Sequence, residues 1–562
     1  MNEGYAQFSA IKQQLSALVN RLSPSPGNAL NEVIASLIDA WQANHSHIVL
    51  DDAQLAMITS PSLATLVGGA KADTPLVLQN NRMYFRRLLN LETRVALALQ
   101  QRNQPLPRTN PAANSALTAK SMTPASLSAS QAKAVSLSLT RQLAIITGGP
   151  GTGKTRIIKQ IVDQAIAVEP SIRIAITAPT GKATARLETQ FTDKRAGLEL
   201  KTIHRLLGFG HRGTPRYHRD HPLDIDLVVV DETSMVDLAL ADALLAALPA
   251  HCRLILVGDP AQLPSVNLGR LLADLSILPS ETEGDPLPET FLKGSRVTLT
   301  ENFRFGEGTG IDVFASDLPT SMPFETSDGA AIRTIQPETL SEADFEDLFR
   351  PYLSALSAKA TPKALLHAFN QSRILAPQYL GALGVHDVNH RVEALLTRSG
   401  LITRTRPDFY HGRPVLIVDN HYHLGLFNGD VGICLDPAQI EPSETLPLTQ
   451  TGGLRVYFSQ PEGDSTRSLP ITALPRHETC FAMTVHKSQG SEFDHVFFIL
   501  PETLEGTSNT LQSRELVYTA VTRARQQLTI VTTPSIWHNA VQRVYQRRSS
   551  LPEQLKIIEL TS

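Results

Sequence analysis

Cysteine is nearly absent: Cys252, Cys434 and Cys480 are the three in 562 residues. They stand far apart and in no metal-ligand spacing, which excludes a disulfide framework and a zinc ribbon and points to a reducing compartment. Charge of one sign is lacking too, since 51 Lys+Arg against 54 Asp+Glu leave a formal net charge of −3. With no global positive field, any contact with nucleic acid must come from a local groove. No apolar run reaches the roughly 18 residues of a membrane span. The start, Met1-Asn-Glu-Gly-Tyr5, is not the basic lead-in to an apolar leader, so a cytoplasmic chain is expected. Hydrophobic residues at 42% and charged ones at 19% are ordinary values and exclude a disordered or collagenous chain. At about 100–200 residues per domain, the length asks for several domains.

Helical periodicity marks Phe8, Ile11, Leu15 and Leu18, and again Leu30, Val33, Ile34 and Leu37. A short strand pair is expected at Pro75-Leu-Val-Leu78 and Arg82-Met-Tyr-Phe85, turning at Asn80-Asn81. Residues 109–130 are rich in Pro, Ala, Ser, Thr and Asn and read as a linker. Beyond them, continuous apolar runs such as Leu143-Ala-Ile-Ile-Thr147, Ile174-Ala-Ile-Thr177, Leu227-Val-Val-Val230 and Leu254-Ile-Leu-Val257 alternate with turns and helices. Such strands are buried on both faces of a parallel α/β sheet. A second series follows in Arg373-Ile-Leu-Ala376, Val496-Phe-Phe-Ile-Leu500 and Leu528-Thr-Ile-Val531. Residues 400–476 read instead as short strands with hairpins, Asn428-Gly429 being the strongest turn signal. The fold class is therefore α/β, with two lobes and a small β insertion in the second.

Gly148-Gly149-Pro150-Gly151-Thr152-Gly153-Lys154-Thr155 satisfies G-x-x-x-x-G-K-[ST] between a strand and a helix. Its glycines let backbone N–H groups curl around a phosphate, Lys154 reaches the β/γ-phosphates, and the Thr155 hydroxyl holds Mg²⁺. ATP and Mg²⁺ are the expected cofactors. Asp231-Glu232 follows an apolar strand as a Walker B pair does: Asp231 is a second candidate for Mg²⁺ and Glu232 a base for the attacking water. Gln262, in Gly258-Asp-Pro-Ala-Gln-Leu-Pro264, is placed to feel the γ-phosphate, and Arg304 and Arg523 are candidates to neutralise transition-state charge from the second lobe.

Taken in order, these runs resemble the superfamily 1 helicases of the B branch. The matching segments are Gly148–Thr155, Ala178-Pro-Thr-Gly-Lys-Ala-Thr-Ala-Arg-Leu187, Asp231-Glu-Thr-Ser-Met235, Gly258–Pro264, Asn302-Phe-Arg304, Met483-Thr-Val-His-Lys-Ser-Gln-Gly-Ser-Glu-Phe-Asp494 and residues 515–525. Within the branch, Thr202-Ile-His-Arg-Leu-Leu-Gly208, Leu424-Gly-Leu-Phe-Asn-Gly-Asp-Val-Gly432 and the strand pair at 74–85 resemble the exodeoxyribonuclease V alpha subunits, the RecD family. One departure is Asp-Glu-Thr-Ser-Met, where the branch commonly has Asp-Glu-Ala-Ser-Met.

The resemblance implies two RecA-like P-loop NTPase lobes, at 131–300 and 301–562. A small 1B insertion falls near 208–222 and an SH3-like 2B insertion at 400–476, behind a mainly helical partner-binding domain at 1–108. It implies an ATP-driven motor moving 5′ to 3′ on single-stranded DNA at double-strand breaks, in the bacterial cytoplasm, with the beta and gamma subunits of exodeoxyribonuclease V as partners and the nuclease centre on the beta subunit. Carried over by residue, Gln131 reads adenine, Gln489 faces the γ-phosphate and Glu492 the ribose. Pro179, Thr180, Lys182, Thr202 and His204 in the first lobe, and Thr484, His486, Lys487 and Ser488 in the second, are the candidates for DNA backbone contacts. A free-standing helicase of the same branch and an ATP-binding scaffold without motor activity are the competing readings. The intact Lys154, Glu232, Gln262 and Arg523 argue against the scaffold. His204, His211, His218 and His221 have no metal-ligand spacing, and the stretch around them is basic.

Overall fold

Leu30, Val33, Ile34 and Leu37 form one buried face of the helix Asn28–Gln42, as their spacing requires. Four strands follow in this region: β1 (His47–Val49), β2 (Val67–Gly68), β3 (Leu76–Gln79) and β4 (Arg82–Phe85), in the order β1-β4-β3-β2. β3 and β4 are the expected antiparallel pair, with Leu76 opposite Phe85. Asn80 and Asn81 both take positive φ, 50° and 58°, which a two-residue type I′ turn needs and asparagine tolerates. β1 and β2, three and two residues long, are too short to leave a period in the sequence.

In this computed structural model the described residues are 28–106, 127–191, 195–210, 213–276, 292, 294–301, 303, 310–321, 323, 331–400, 402, 408–440, 453–460, 465–502, 512–545 and 547–561. The periodicity at Phe8 to Leu18, Arg304, His211 and residues 109–126 of the linker lie outside them. The end of that linker is helical: Ser128 caps the helix Ala129–Thr140 through a capping box with Gln131. Among the described residues no helix is long and apolar enough to cross a membrane.

The first lobe holds β5 (Leu143–Gly148), β6 (Ile174–Ala178), β7 (Leu198–Thr202), β8 (Leu227–Val230), β9 (Arg253–Gly258) and β10 (Arg296–Leu299). They pair in the order β10-β5-β9-β8-β6-β7, every neighbour parallel. A parallel sheet gathers its strand C-termini on one edge, where α/β proteins bind ligands. The second lobe runs through β11 (Ile332–Ile335) and β12 (Ser372–Ala376), then the insertion strands β13 (Arg413–Ile417), β14 (Val431–Leu435), β15 (Arg455–Ser459), β16 (Thr466–Pro470) and β17 (His477–Thr479). It closes with β18 (Ala482–Thr484), β19 (Phe493–Ile499) and β20 (Ala524–Val531). The lobe's own sheet, β11-β20-β19-β12-β18, is all parallel, and the insertion, β16-β15-β14-β13-β17, is all antiparallel.

Asn428-Gly429 is not the tight hairpin its sequence suggests. β13 and β14 are joined by residues 418–430, and the Asn-Gly pair lies on the returning leg of that loop. There Gly429 N–H donates to Ile417 O, and the Asp430 carboxylate accepts from Phe427 N–H. Asp430 N–H also donates to Phe427 O at 3.0 Å, so the pair does centre a tight turn, with Gly429 at φ 96° and Asn428 at negative φ, but not the type I′ turn of a two-residue hairpin.

The chain end returns to the first lobe. Leu551 and Leu555 of the helix Leu551–Thr561 share a core with Val95, Ala96 and Leu99 of the helix Arg86–Arg102 and with first-lobe residues such as Leu143 and Val228. Glu92 is fully buried there and accepts hydrogen bonds from Ser550 N (3.0 Å), Ser550 Oγ (2.6 Å) and Ser549 Oγ (3.2 Å).

Candidate nucleotide and nucleic-acid site

β5 runs buried to Gly148, where a Cβ would come within 2.7 Å of Thr152 Oγ1 and 3.0 Å of Leu299 Cβ. Only glycine lets the chain curl out of the sheet at that point. Gly151 and Gly153 hold φ at 80° and 81°, and Gly153 is the N-cap of the helix Lys154–Val168. Lys154 Nζ donates to the carbonyls of Gly148 and Gly149, both at 2.7 Å, so the ammonium lies inside the loop. Thr155 stands in the first turn of the helix. Gln131 braces the loop from behind: Nε2 donates to Thr152 O at 3.1 Å and Oε1 accepts from Ser128 N–H at 3.2 Å. Both ends of the amide expected to read adenine are thus engaged with protein.

The strand order β5-β9-β8 sets the loop after β9 between the phosphate loop and the acidic pair. Asp231 is buried and accepts from Glu232 N–H at 2.9 Å. Burial, and next the Glu232 carboxylate, push its pKa up to about 6. Glu232 takes left-handed φ, 50°, a strained conformation for a residue with a side chain. Between them, Asp259 organises its loop: Oδ1 accepts from Ala261 N–H (3.1 Å), and Oδ2 from Gln262 Nε2 (3.0 Å) and the Tyr518 hydroxyl (3.1 Å). A glycine cradle with no room for a Cβ, an ammonium within it and a buried carboxylate beside it fit a magnesium-bound nucleotide.

The second lobe closes on this edge. Both backbone groups of Leu263 are held from across the cleft, N–H by Thr519 Oγ1 (2.8 Å) and C=O by Gln489 Nε2 (2.9 Å). Gln489 therefore meets the first lobe directly. Arg523 is buried, donating to Thr519 O at 3.0 Å and Ser491 O at 3.2 Å. Burial lowers its pKa, while Glu232 and Asp259 act the other way. Glu492 pairs with Arg186 of the first lobe at 3.0 Å and with Arg525 at 3.2 Å.

Toward β6 and β7 the lobes and the insertion enclose a cleft of about 1510 Å³, lined among others by Lys182, Thr202, Arg205, Phe427 and Arg467. Pro179 and Thr180 follow β6; Thr180 caps the helix Gly181–Glu188 by accepting from Ala183 N–H, and Thr202 caps the helix Ile203–Leu206 by accepting from Arg205 N–H. His204 packs its ring 5.0 Å from that of Phe209. Burial, then Arg373, bring the Lys182 pKa down to about 8. Of the second-lobe candidates, Thr484 Oγ1 accepts from Lys487 N–H, Lys487 pairs with Glu478, and burial lowers the pKa of His486. Ser488 is fully buried and donates to Val485 O at 2.7 Å. None of these four lines the cleft. Among the described residues no cluster of His, Cys, Asp or Glu is arranged to hold a metal ion.

Tyr518, Asp259, Arg186 and Phe427 are functional-edge residues that pattern reading did not single out. Each sits inside one of the runs named in the sequence, but its partner is distant along the chain.

The AAA domain family model matches residues 131–268, and the UvrD-like helicase C-terminal domain model matches 479–531. RecBCD enzyme subunit RecD of Mycobacterium tuberculosis is 34% identical over 456 residues, covering 76% of this chain and 73% of that protein. RecBCD enzyme subunit RecD of Haemophilus influenzae is 30% identical over 494 residues, covering 76% and 72%. The ATP-dependent RecD2 DNA helicase of Deinococcus radiodurans is 27% identical, covering 90% of this chain and 63% of that longer protein.

Proposed function

The chain belongs to the family of RecBCD enzyme subunits called RecD, and on that footing we propose that it is the ATP-driven DNA motor of such an enzyme. It is a DNA helicase and DNA-dependent ATPase, moving 5′ to 3′ on single-stranded DNA at broken ends for recombinational repair, in the bacterial cytoplasm. Its partners are the beta and gamma subunits, and the nuclease centre is on the beta subunit. Residues 131–300 act as the first motor lobe and 301–562 as the second, whose last helix packs back on the first, with 400–476 as the SH3-like insertion and 1–108 as the partner-facing region.

In the hydrolytic step Lys154 exchanges the Gly148 and Gly149 carbonyls for phosphate oxygens. Thr155 and Asp231 would hold Mg²⁺, which neutralises charge on those oxygens when bound. Glu232 orients the attacking water. Arg523 and Arg304 supply positive charge from the second lobe, and Gln262 reports the γ-phosphate. The observation that carries this reading is the grip of Thr519 and Gln489 on Leu263, one residue after Gln262. A change at the phosphate end of that loop is delivered to the second lobe through the hydrogen bonds of the Thr519 and Gln489 side chains to the Leu263 backbone. Alternating hold on the strand by the two lobes then yields steps.

Lys154→Gln is expected to abolish DNA-stimulated ATP hydrolysis while leaving assembly intact. Hydrolysis equal to wild type in the variant would sink the motor reading. Recovery of the native protein as a lone monomer would favour the free-standing helicase instead.

A further inference from the structure

Tyr518, on the helix Arg514–Val521 of the second lobe, has a hydroxyl at the phosphate loop of the first. That oxygen is 3.2 Å from the point a Cβ on Gly149 would occupy, on the same loop whose carbonyls hold Lys154. It donates to Asp259 Oδ2 at 3.1 Å, the oxygen that also accepts from Gln262 Nε2 at 3.0 Å. We propose that Tyr518 is a positioning residue that ties the terminal phosphate of the bound nucleotide to the setting of Gln262, through the oxygen the two side chains share on Asp259.

The chemistry follows from the count of donors. A phenol has one proton to donate, and burial with the neighbouring Asp259 carboxylate raises the Tyr518 pKa well above 10, so the proton stays. It can satisfy Asp259 or a phosphate oxygen at the Gly149 side, not both. When the terminal phosphate takes the hydrogen bond, Asp259 Oδ2 is left to Gln262 alone. When the phosphate departs, the hydroxyl returns to Asp259, which lies beside the loop that Thr519 and Gln489 hold to the second lobe. No bond is made or broken in this exchange beyond hydrogen bonds.

The inference rests on the nucleotide reading above. Tyr518→Phe removes only the oxygen and keeps the ring in its packing. In the full chain, assembled with its partner subunits, the variant is expected to lose about tenfold or more in kcat for DNA-stimulated ATP hydrolysis, the worth of a hydrogen bond to a charged group. The KM for ATP and the Kd for ADP stay within about twofold, as does the unfolding midpoint within the scatter of replicate measurements. In an Asp259→Asn background the same change has little further effect on kcat, because the shared oxygen is already altered. Wild-type kcat in Tyr518→Phe, or a loss that tracks a lowered midpoint and weaker ADP binding, overturns the proposal. A wild-type assembly that does not hydrolyse ATP with DNA overturns the motor reading itself, a separate outcome read before any variant is made.

Discussion

Replacing Gly181 by alanine reads the contact between the insertion and the first lobe. Gly181 opens the helix Gly181–Glu188, and a Cβ there would lie 2.6 Å from Phe427 Cγ and 2.8 Å from Phe427 Cβ. Carbon contacts settle at about 3.5–4.0 Å, so the ring must retreat by roughly 1 Å. Its backbone resists: Phe427 N–H donates to Asp430 Oδ2 at 2.8 Å, Asn428 N–H to Asn420 Oδ1 at 2.9 Å, and Gly429 N–H to Ile417 O at 2.9 Å. Arg205 stands 5.7 Å from the ring centroid on the first lobe, where a cation–π contact adds to the hold. Overpacking of this kind costs about 1–3 kcal/mol. Helix propensity opposes it, since alanine is better than glycine by up to about 1 kcal/mol and less in a first turn. The net expectation is a loss of about 1–2 kcal/mol for Gly181→Ala in the wild-type background. In a Phe427→Ala background the clash is gone, and the same substitution is neutral or stabilising by a few tenths of a kcal/mol. Urea denaturation of the four proteins gives both values from one double-mutant cycle. Equal effects in the two backgrounds refute the contact.

Asp274→Asn tests a buried carboxyl whose Oδ2 has no hydrogen-bond partner among the described residues and whose pKa burial pushes up to about 7, against the lowering effects of Arg270 and Ser549. Because the folded value lies above the unfolded one, wild-type stability falls as pH rises from about 4 to 7 and levels off above that. Less the 3.4 Å contact with Arg270, the variant is expected to gain about 2 kcal/mol at pH 8 and little at pH 4, measured by urea unfolding at both; a gain equal at the two pH values would contradict it. Arg547→Ala removes a guanidinium that donates to the carbonyls of Val266, Asn267 and Gly269. It is expected to cost about 2–3 kcal/mol and to expose the chain end beyond it to proteolysis, while unchanged digestion would show that the arginine does not anchor it.

The two motor sheets were legible because strands buried on both faces read as unbroken apolar runs, as β5 and β8 do. β7 leaves no unbroken apolar run, because it is an edge strand whose residues alternate between half-buried and exposed, with Glu199 and Lys201 on the open side. The helix Ala129–Thr140 begins inside the stretch of linker composition, since a Ser- and Ala-rich helix start has that composition too. The capping signature Ser128-Ala-Ser-Gln131 was nevertheless present and gives the start directly. In the site, the phosphate loop was legible because its chemistry is local to eight consecutive residues. The Tyr518–Asp259 bond spans 259 positions and the Phe427–Gly181 contact joins an insertion to another lobe, so no spacing rule reaches either.

The chain end is bonded to both lobes and to the N-terminal region. Arg543 O and Tyr545 N–H are bonded to the second lobe, through Arg514 N–H and Glu515 Oε2. Arg547 is bonded to the first lobe at Val266, Asn267 and Gly269, on the same segment that continues from Asp259, Gln262 and Leu263. The Arg548 backbone then bonds to the N-terminal region, its N–H donating to the His45 ring at Nδ1 (2.9 Å) and its C=O accepting from Ser46 N–H (2.8 Å). Hydrogen bonds to both lobes thus stand close together along the chain. The N-terminal region is held to the chain end by Arg548 and by the buried Glu92, whose helix shares its core with the first lobe.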